Sequence, residues 1–424
     1  MGCAKNLVDS ETLMRLFEQS GYTVSHDPDK IDGEIVVVNT CGFIESAREE
    51  SVNMILETIQ AKSTGRVGKV FVMGCLSERY MEELKAELPE VDGFYGKFDW
   101  KNLISDLGKA YHSSPADLRT LTTPGHYAFV KIAEGCNRGC AYCSIPLMTG
   151  KYKSRPEEEI LEEVRGLAQN GVKELQLIAQ DLTYYGIDRG GKAGLPHLVR
   201  ELCKIDGIEW IRLHYAYPTH FPLELIAVIR EEPKVCKYLD IALQHSSDHM
   251  LGQMRRNIIK GEQEELLRKL REGVPGIVIR TTLMVGHPGE TEADFEDLLA
   301  FVREQRFDRM GAFMYSHEEG TYGYRHYSDD IAPEVKQERL DRLMAVQEEI
   351  ALARAEAFVG TGQKVIIDRR EGEYYIGRTQ YDSPDVDPEV LIPTAATAGN
   401  IRIGDFYSVR ITGTSGYDLI GEVI

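Results

Sequence analysis

Apolar runs alternate with amphipathic stretches over the first hundred residues. The runs at 34–42 and 69–75 carry blocks of β-branched and large apolar residues, which are typical of buried parallel strands. Helical spacing follows each run, at Ile44–Gln60 and at Glu78–Glu87, and a third helical stretch covers Ser10–Gln19. The pattern therefore predicts an open α/β sheet with helices packed on it.

From residue 127 onward, six further apolar runs alternate with helical stretches. The predicted strands are Phe129–Ala133, Glu174–Ala179, Trp210–His214, Tyr238–Ala242, Val278–Val285 and Met310–Tyr315. The predicted helices are Pro156–Gln169, Leu195–Ile205, Leu223–Glu231, Glu262–Glu272 and Glu292–Gln305. Strands that are each followed by a crossover helix form a parallel sheet, here curved as a partial (β/α)6 barrel. Its active edge is expected at the carboxyl ends of the strands.

The last part of the chain has a different pattern. A long charged helix is predicted over Pro333–Val359, and five short, closely spaced strands follow, which predicts a small all-β barrel. A polar segment with prolines, residues 112–126, is predicted to be a linker. The chain is thus predicted to be an α/β protein with an N-terminal α/β open-sheet domain, a linker, a central partial barrel and a C-terminal barrel, over 1–111, 112–126, 127–360 and 361–424.

Composition excludes several classes of protein. Of 424 residues, 42% are hydrophobic and 28% are charged, so the chain is neither collagen-like nor largely disordered. No apolar run approaches the ~18 residues of a membrane span, and no basic-then-apolar leader follows the first methionine, so we expect a cytoplasmic protein with no membrane association. The formal net charge of −19 disfavours direct binding to nucleic acid and favours a basic protein partner.

Three of the eight cysteines form one local run, Cys136, Cys140 and Cys143, with the spacing C-x-x-x-C-x-x-C. An ordinary electron-transfer cluster takes four thiolates, whereas three thiolates on a four-iron cluster leave one iron open. Zinc is the alternative, but zinc sites usually have paired knuckles and four protein ligands. No second knuckle lies nearby in the sequence, so the spacing favours a cluster.

Three further cysteines, Cys3, Cys41 and Cys75, are distant in sequence but share a setting. Cys41 and Cys75 end predicted strands, and Cys3 precedes a predicted helix. Because the carboxyl ends of parallel strands share one edge, the three could meet there as cluster ligands. The alternative is three buried thiols that only pack. Cys203 and Cys236 have no thiol nearby in sequence and are expected to pack.

The run from Cys136 to Cys143, with Tyr142 before its last cysteine, resembles the signature of the radical S-adenosylmethionine (SAM) superfamily. The resemblance implies a [4Fe–4S] cluster whose open iron binds SAM. It further implies that the reduced cluster cleaves SAM to a 5′-deoxyadenosyl radical. Tyr142 is then expected to pack near the adenine.

The similarity extends over nearly the whole chain. The segments that resemble the radical-SAM methylthiotransferases are Gly2–Glu11, Asn39–Ile44, Glu134–Cys136, Gln180–Gly186, Leu243–His245 and Pro384–Asp387. They resemble the branch that adds a methylthio group to the β-carbon of an aspartate in the twelfth small-subunit ribosomal protein. The small barrel resembles the TRAM domain. The alternatives are the sister branch, which modifies adenosine in tRNA, and a non-catalytic cluster carrier.

Charge favours the protein-modifying branch. The barrel from Lys364 to Ile424 carries six basic and ten acidic side chains, a net charge of −4. A module that grips RNA is expected to be basic, whereas an acidic one suits a basic ribosomal protein. The resemblance also implies a reductase or a flavodoxin-type protein as electron donor.

The resemblance implies that no side chain other than the cluster ligands is catalytic. The remaining site residues are expected to bind SAM or substrate. A second [4Fe–4S] cluster is expected on Cys3, Cys41 and Cys75. Polar groups at predicted strand ends, and a loop similar to one that lies near adenine in the superfamily, are expected to contact SAM: Gln180, Gln244, His245, Arg280 and Gly286. Asp385 and Asp387 are expected to meet basic side chains of the substrate, with a simple Pro-Asp turn as the alternative.

Overall fold

The structure is a computed structural model that describes residues 2–109, 119–396 and 401–424. Residues 110–118, which include part of the predicted linker, lie outside the described residues. By their internal contacts the residues form two compact units. Unit 1 comprises Met1–Thr122, Ala133–Gly166 and Ser316–Arg325; unit 2 comprises Thr123–Ile132, Leu167–Tyr315 and His326–Ile424.

Unit 1 is built on a three-stranded parallel sheet with the order β1-β2-β3. Its strands are β1 (Gly33–Thr40), β2 (Val67–Gly74) and β3 (Gly93–Phe94), and its first helices are α1 (Ala4–Gln19), α2 (Glu45–Ser63), α3 (Cys75–Glu87) and α4 (Trp100–Asp106). The side chains of β2 alternate: Phe71 and Met73 pack with α1 and α4, whereas Val70 and Val72 pack with α2. Both faces of the sheet are therefore covered, as the continuous apolar runs require.

Unit 1 also contains a short hairpin and two short helices. They are β5 (Ala133–Glu134), α5 (Ile145–Thr149), β6 (Lys153–Ser154) and α13 (Tyr322–His326). Strands β5 and β6 pair antiparallel on either side of the segment that carries Cys136, Cys140 and Cys143.

Unit 2 contains a six-stranded parallel sheet with the order β11-β10-β9-β8-β7-β4. The strands are β4 (Tyr127–Lys131), β7 (Glu174–Ile178), β8 (Trp210–Ala216), β9 (Val235–Ile241), β10 (Val278–Val285) and β11 (Arg309–Met314). The helices between and after them are α6 (Glu157–Gln169), α7 (Ile187–Gly190), α8 (Leu195–Cys203), α9 (Glu224–Glu231), α10 (Asp248–Gln253), α11 (Lys260–Gly273), α12 (Glu292–Gln305) and α14 (Pro333–Glu356). Helix α6 runs across the boundary between the units.

The carboxyl-terminal part of unit 2 is a closed five-stranded barrel with the order β12-β13-β14-β16-β15. Its strands are β12 (Gly362–Glu371), β13 (Tyr374–Thr379), β14 (Val390–Pro393), β15 (Phe406–Ser415) and β16 (Asp418–Val423). Its interior is filled by aliphatic side chains, including Val365, Val390 and Ile411. The predicted small all-β barrel is thus present with all five of its strands.

Buried charges join the barrel to the six-stranded sheet. Arg378 of β13 donates Nε to Asp368 Oδ2 at 2.6 Å and Nη2 to Glu174 Oε2 at 2.7 Å. Arg212 of β8 donates Nη2 to Glu174 Oε1 at 2.9 Å, and the Nε2 of His126 lies 2.7 Å from Asp368 Oδ1. We refer to these five side chains as the junction network. Two guanidinium groups face two carboxylates, so the network is balanced in charge and rich in hydrogen bonds.

The predicted fold class is confirmed. Strand β10 and helix α12 have the predicted bounds, and the other predicted central strands and helices are present with ends that differ by a few residues. The sequence pattern did not predict β3 and α4, because a two-residue strand and a seven-residue helix are too short for a periodic signal. Helix α1 begins at Ala4 rather than at Ser10, since its first turns bury polar side chains such as Lys5, Asn6 and Asp9.

Residues 133–166 and 316–325 group with the N-terminal sheet in unit 1. The division into domains over 1–111, 112–126, 127–360 and 361–424 stays a prediction. Within the described parts of the chain, no helix is both long enough and apolar enough to cross a membrane.

Candidate functional site

Three cysteines of unit 1 lie where its strands end or its helices begin. Cys3 is the residue before α1, Cys41 follows β1 directly, and Cys75 is the first residue of α3 directly after β2. The backbone N–H of Cys41 donates to Ser51 Oγ at 2.9 Å, which ties the residue to α2. The parallel sheet therefore brings Cys41 and Cys75 to one edge, as we predicted from the order of strands and helices in the sequence.

Glycines allow these cysteine segments to approach one another closely. A Cβ at Gly42 would lie 2.9 Å from the backbone of Cys75, so a side chain there would push the two segments apart. A Cβ at Gly2 would lie 3.2 Å from the Cβ of Cys41, and Gly2 has a φ of +95°. Cys3, Cys41 and Cys75 are thus gathered in one place by residues that have no side chain.

The chemistry of this trio fits a cationic group. Burial raises the pKa of Cys41, and it raises the pKa of Cys75 to about 12. The thiol of Cys3 raises both pKa values further, because charges on neighbouring thiolates repel each other. Bound metal removes these protons outright, so crowded, buried thiols are a suitable donor set for an iron cluster.

The second trio lies on the loop between β5 and α5. The N–H of Cys136 donates to Gly150 O at 3.2 Å, and the N–H of Cys143 donates to Cys140 O at 3.1 Å. A Cβ at Gly135 would lie 2.2 Å from Lys151 O, and this glycine has a φ of +78°, so only glycine fits there. Tyr142 is half-buried within the loop.

The two trios belong to the same compact unit, and direct contacts join their segments. Ser144, which follows Cys143, donates Oγ to the carbonyl of Phe43, two residues after Cys41, at 3.2 Å. Glu134 lies two residues before Cys136, and its Oε1 accepts a hydrogen bond from Lys97 Nζ at 2.9 Å. Helices α3 and α5, which carry or follow the cysteines, also pack together.

A buried carboxylate, which no sequence motif indicated, supports the segment after Cys41. Glu318 has only 3% of its side chain exposed and accepts hydrogen bonds from Arg48 of α2 and Arg79 of α3. Arg79 also donates to Gly42 O at 3.2 Å. These residues are distant in sequence, so only the folded chain reveals that Glu318 and Arg79 brace this segment.

The number of thiolates in each trio suits a cluster better than zinc. Three thiolates on a four-iron cluster leave one iron open, whereas a structural zinc site usually takes four protein ligands. Among residues 2–109, 119–396 and 401–424, no group of three or more Cys, His, Asp or Glu side chains is arranged around a single metal ion.

Two predicted SAM contacts lie just after strands of unit 2. Gln180 follows β7 by two residues and is half-buried. Gln244 follows β9 by three residues, and its N–H donates to Thr282 O at 2.9 Å. Gln244 has a φ of 72°, and its buried Oε1 has no hydrogen-bond partner within the described part of the chain. A strained residue with an unsatisfied acceptor at this edge is typical of a ligand site.

His245 and Gly286 are brought together by Glu290, a residue to which the sequence alone assigned no role. Glu290 accepts from Gly286 N–H at 2.7 Å, and its other oxygen lies 3.1 Å from His245 Nε2. The Nδ1 of His245 accepts two backbone N–H groups at 3.0 Å, so Nε2 carries the proton. Both nitrogens of this fully buried ring are therefore occupied, and His245 orients the Gly286 loop instead of reaching outward.

Arg280 and Asp387 are joined to each other instead of facing a ligand. Arg280 lies near the amino-terminal end of β10, the edge opposite to the carboxyl ends, and its Nη1 donates to Asp387 Oδ1 at 2.5 Å. The other oxygen of Asp387 accepts from Tyr238 Oη at 2.8 Å, and its side chain is fully buried. These contacts account for both predicted site residues as internal ones. Asp385 remains exposed beside them, at the rim of a groove of about 410 Å³.

Comparisons with known families agree with these observations. The family model of the radical SAM superfamily matches residues 130–302, and that of the uncharacterized protein family UPF0004 matches residues 1–96. The TRAM domain model matches residues 359–424. Its parallel sheets, its cysteine motif and its barrel agree with these matches, and the chain is an enzyme of the radical-SAM class. The superfamily implies a [4Fe–4S] cluster and SAM as cofactors.

Curated relatives specify the branch. The chain is 62% identical to the ribosomal protein uS12 methylthiotransferase RimO of Parabacteroides distasonis, over 100% of this chain and 98% of that protein. It is 61% identical to RimO of Bacteroides fragilis and 59% identical to RimO of Porphyromonas gingivalis, with the same coverage. The chain therefore belongs to the family of ribosomal protein uS12 methylthiotransferases, RimO, as its motifs predicted.

Solved structures agree on the fold. The radical SAM methyltransferase TsrM from Kitasatospora setae, solved with cobalamin and a [4Fe–4S] cluster bound, aligns with a TM-score of 0.53. The alignment covers 74% of this chain and 72% of that chain at 14% identity. At this identity the likeness concerns the fold alone.

Proposed function

We propose that this chain transfers a methylthio group to the β-carbon of an aspartate in the ribosomal protein uS12, with SAM as methyl donor and radical source. The observation that carries the proposal is the presence of both cysteine trios in one compact unit, with a direct contact between Phe43 and Ser144. A reaction that joins a sulfur-bearing site to a SAM-cleaving site requires such proximity.

Each trio has its own role in the proposal. Cys136, Cys140 and Cys143 would hold the cluster that binds SAM, and Cys3, Cys41 and Cys75 would hold a second, auxiliary [4Fe–4S] cluster. When bound, these groups supply hydrogen abstraction by a radical and a methylated sulfur, which no protein side chain provides. The chain itself gathers the thiols and buries those of Cys41 and Cys140, and Arg79 and Ser144 fix segments that carry them.

Within unit 2, we assign contacts to SAM to residues at the carboxyl ends of the strands; Tyr142, in unit 1, stays a predicted contact of the adenine. The strained backbone and unsatisfied Oε1 of Gln244 support its role as a direct contact of SAM. Gln180 follows β7 of the same six-stranded sheet. Gly286 contributes backbone, while His245 and Glu290 hold its loop in position. Arg280 stays a predicted contact, and in the structure its guanidinium pairs with Asp387.

The substrate is a basic protein in this proposal, and charge supports it. The chain has a net charge of −19, so it attracts a basic partner and repels a phosphate backbone. Exposed Asp385 is the candidate contact for a basic side chain of uS12. A reductase or a flavodoxin-type protein would supply electrons. We place the reaction in the cytoplasm, where thiols remain reduced.

The test is methylthiolation of purified uS12. The reconstituted enzyme is incubated anaerobically with SAM, a reductant and either uS12 or bulk tRNA, and both products are analysed by mass spectrometry. We expect a methylthio increment on one aspartate of uS12 and no modified adenosine. A methylthio group on tRNA with unmodified uS12 would contradict the proposal and favour the sister activity.

A further inference from the structure

A buried lysine lies between the segments that carry the two cysteine trios. Lys97 has only 3% of its side chain exposed. Its Nζ donates to Glu134 Oε1 at 2.9 Å and lies 3.6 Å from Asp9 Oδ2. Glu134 precedes Cys136 by two residues, and Asp9 lies on α1, which begins directly after Cys3. We call these three side chains the cysteine-loop triad.

The loop that carries Lys97 is tied to the helix of the third auxiliary cysteine. The N–H of Lys97 donates to Glu78 Oε2 at 2.9 Å, and Glu78 lies one helical turn after Cys75 on α3. A Cβ at Gly96 would lie 2.3 Å from the same oxygen, so a side chain there would displace the Glu78 carboxylate. Lys97 therefore contacts segments that belong to both trios, and its backbone is held by one of them.

The position of this ammonium group requires an explanation. Taking a charge out of water costs several kcal/mol, and a lysine seldom occupies such a site unless it is paired. Burial alone would lower the pKa of Lys97, but Asp9 and Glu134 raise it above its ordinary value, so the side chain is cationic. Lys97 is also close enough to Cys75 for its charge to act on that sulfur.

We propose that Lys97 is a positioning residue that holds the two cysteine loops together and shifts the reduction potential of the auxiliary cluster to more positive values. The inference rests on the proposed function, because it requires the cluster on Cys3, Cys41 and Cys75. Reduction adds negative charge to a cluster, and a buried cation nearby stabilises the reduced form. The two carboxylates of the triad act in the opposite direction.

The potential of the auxiliary cluster tests this proposal. Reconstituted full-length protein is titrated with reductant and followed by electron paramagnetic resonance, and a Cys136→Ala/Cys140→Ala/Cys143→Ala variant identifies the auxiliary signal. We expect Lys97→Met to shift the auxiliary midpoint potential to a more negative value. Lys97→Arg keeps the charge and should restore the wild-type potential, which a purely packing role would not predict.

The carboxylates provide a test of opposite sign that does not depend on the folding of the lysine variants. Asp9→Asn and Glu134→Gln each remove a negative charge, so each should shift the potential to a more positive value. The matched control is Lys62→Met, which removes a partly exposed lysine of the same unit that pairs with Asp92 at 2.6 Å. This control should leave the potential unchanged because water screens its charge.

Two outcomes would overturn the inference, and they differ in what they say about the proposed function. An unchanged potential in both Lys97→Met and Asp9→Asn, with two clusters present, would remove the electrostatic role while leaving the proposed function intact. A wild-type protein that binds only one cluster would contradict the proposed function as well.

Discussion

Two sets of buried charges, one in each unit, differ in their balance. In unit 2, the junction network sets Arg212 and Arg378 against Glu174 and Asp368, in equal numbers and with multiple hydrogen bonds. In unit 1, the single ammonium of Lys97 faces two carboxylates beside the cysteine segments. A balanced network can serve stability alone, since its charges satisfy one another. The carboxylates of the unit 1 set outnumber its cation, and the proposed role of Lys97 beside the cysteine trios accounts for this imbalance.

The largest effect is expected from the cysteines, which separate the roles of the two trios. Cys136→Ala should abolish SAM cleavage to 5′-deoxyadenosine, because an incomplete trio cannot hold the SAM-binding cluster. Cys41→Ala should retain SAM cleavage but form no methylthiolated uS12. Both products are measured by chromatography and mass spectrometry. Cys203→Ala, on α8 in unit 2, is the control and should behave as wild type; equal loss in both test variants would contradict separate roles.

The junction network predicts the next largest effect, on stability. Arg378→Met leaves Glu174 and Asp368 without their shared cation, so the free energy of unfolding should fall by about 3–5 kcal/mol. The change is measured by denaturant titration. Arg369→Met removes an exposed arginine of the neighbouring strand that pairs with Glu389 and should cost less than about 1 kcal/mol. Similar losses in the free energy of unfolding for the two variants would show that the buried junction network stabilises the fold no more than an exposed ion pair does.

His287 predicts a pH dependence that arises in unit 2. Burial lowers the pKa of this fully buried imidazole from 6.5 to about 4, so the folded state keeps the ring neutral. Between pH 6.5 and pH 4 the unfolded chain binds a proton that the folded chain does not bind. Stability is therefore complete above pH 6.5 and falls as the pH is lowered, by about 3 kcal/mol at most.

The measurement is the free energy of unfolding at several pH values for wild type and His287→Phe. Phenylalanine preserves the ring contacts with Tyr315 and Tyr327 but does not titrate. The variant should lose this part of the pH dependence, whereas His197→Phe, at an exposed position on α8, should keep it. An identical pH slope in wild type and His287→Phe would refute the assignment.

The smallest effect is expected at Glu318 of unit 1, on the retention of iron by the auxiliary cluster. Glu318→Gln removes the charge that holds Arg48 and Arg79, so the segment after Cys41 should loosen. Residues that orient metal ligands typically change affinity by about tenfold or more, so we expect about tenfold weaker retention of auxiliary iron against a chelator. Glu319→Gln is the matched control, because Glu319 is exposed and only its backbone carbonyl contacts Arg79.

Much of the fold could be predicted because it depends on local patterns. The continuous apolar runs around Val36 and Val72 identified parallel strands, and the spacing from Cys136 to Cys143 agrees with the match to the radical SAM superfamily. Long-range partners could not be predicted in this way. Lys97 meets Glu134 across 37 residues, and Arg79 meets Glu318 across 239, so no local period links them.

Single polar residues are harder to place for a related reason. Arg280 was predicted to contact SAM because it lies at or near a strand end; in the structure it lies near the amino-terminal end of β10, where Asp387 is its partner. A strand assignment does not reveal at which end of the sheet a side chain lies. Gln244 was predicted as a SAM contact from its place near a strand end, and its strained backbone is a feature that only the structure supplies.

The central claim is that each trio holds its own four-iron cluster. The most direct test counts iron and sulfide per chain, after anaerobic reconstitution, in wild type and in variants with either trio replaced by alanine. We predict about eight irons in wild type and about four in each triple variant. A wild-type count of about four that is unaffected by replacing Cys3, Cys41 and Cys75 would contradict the claim.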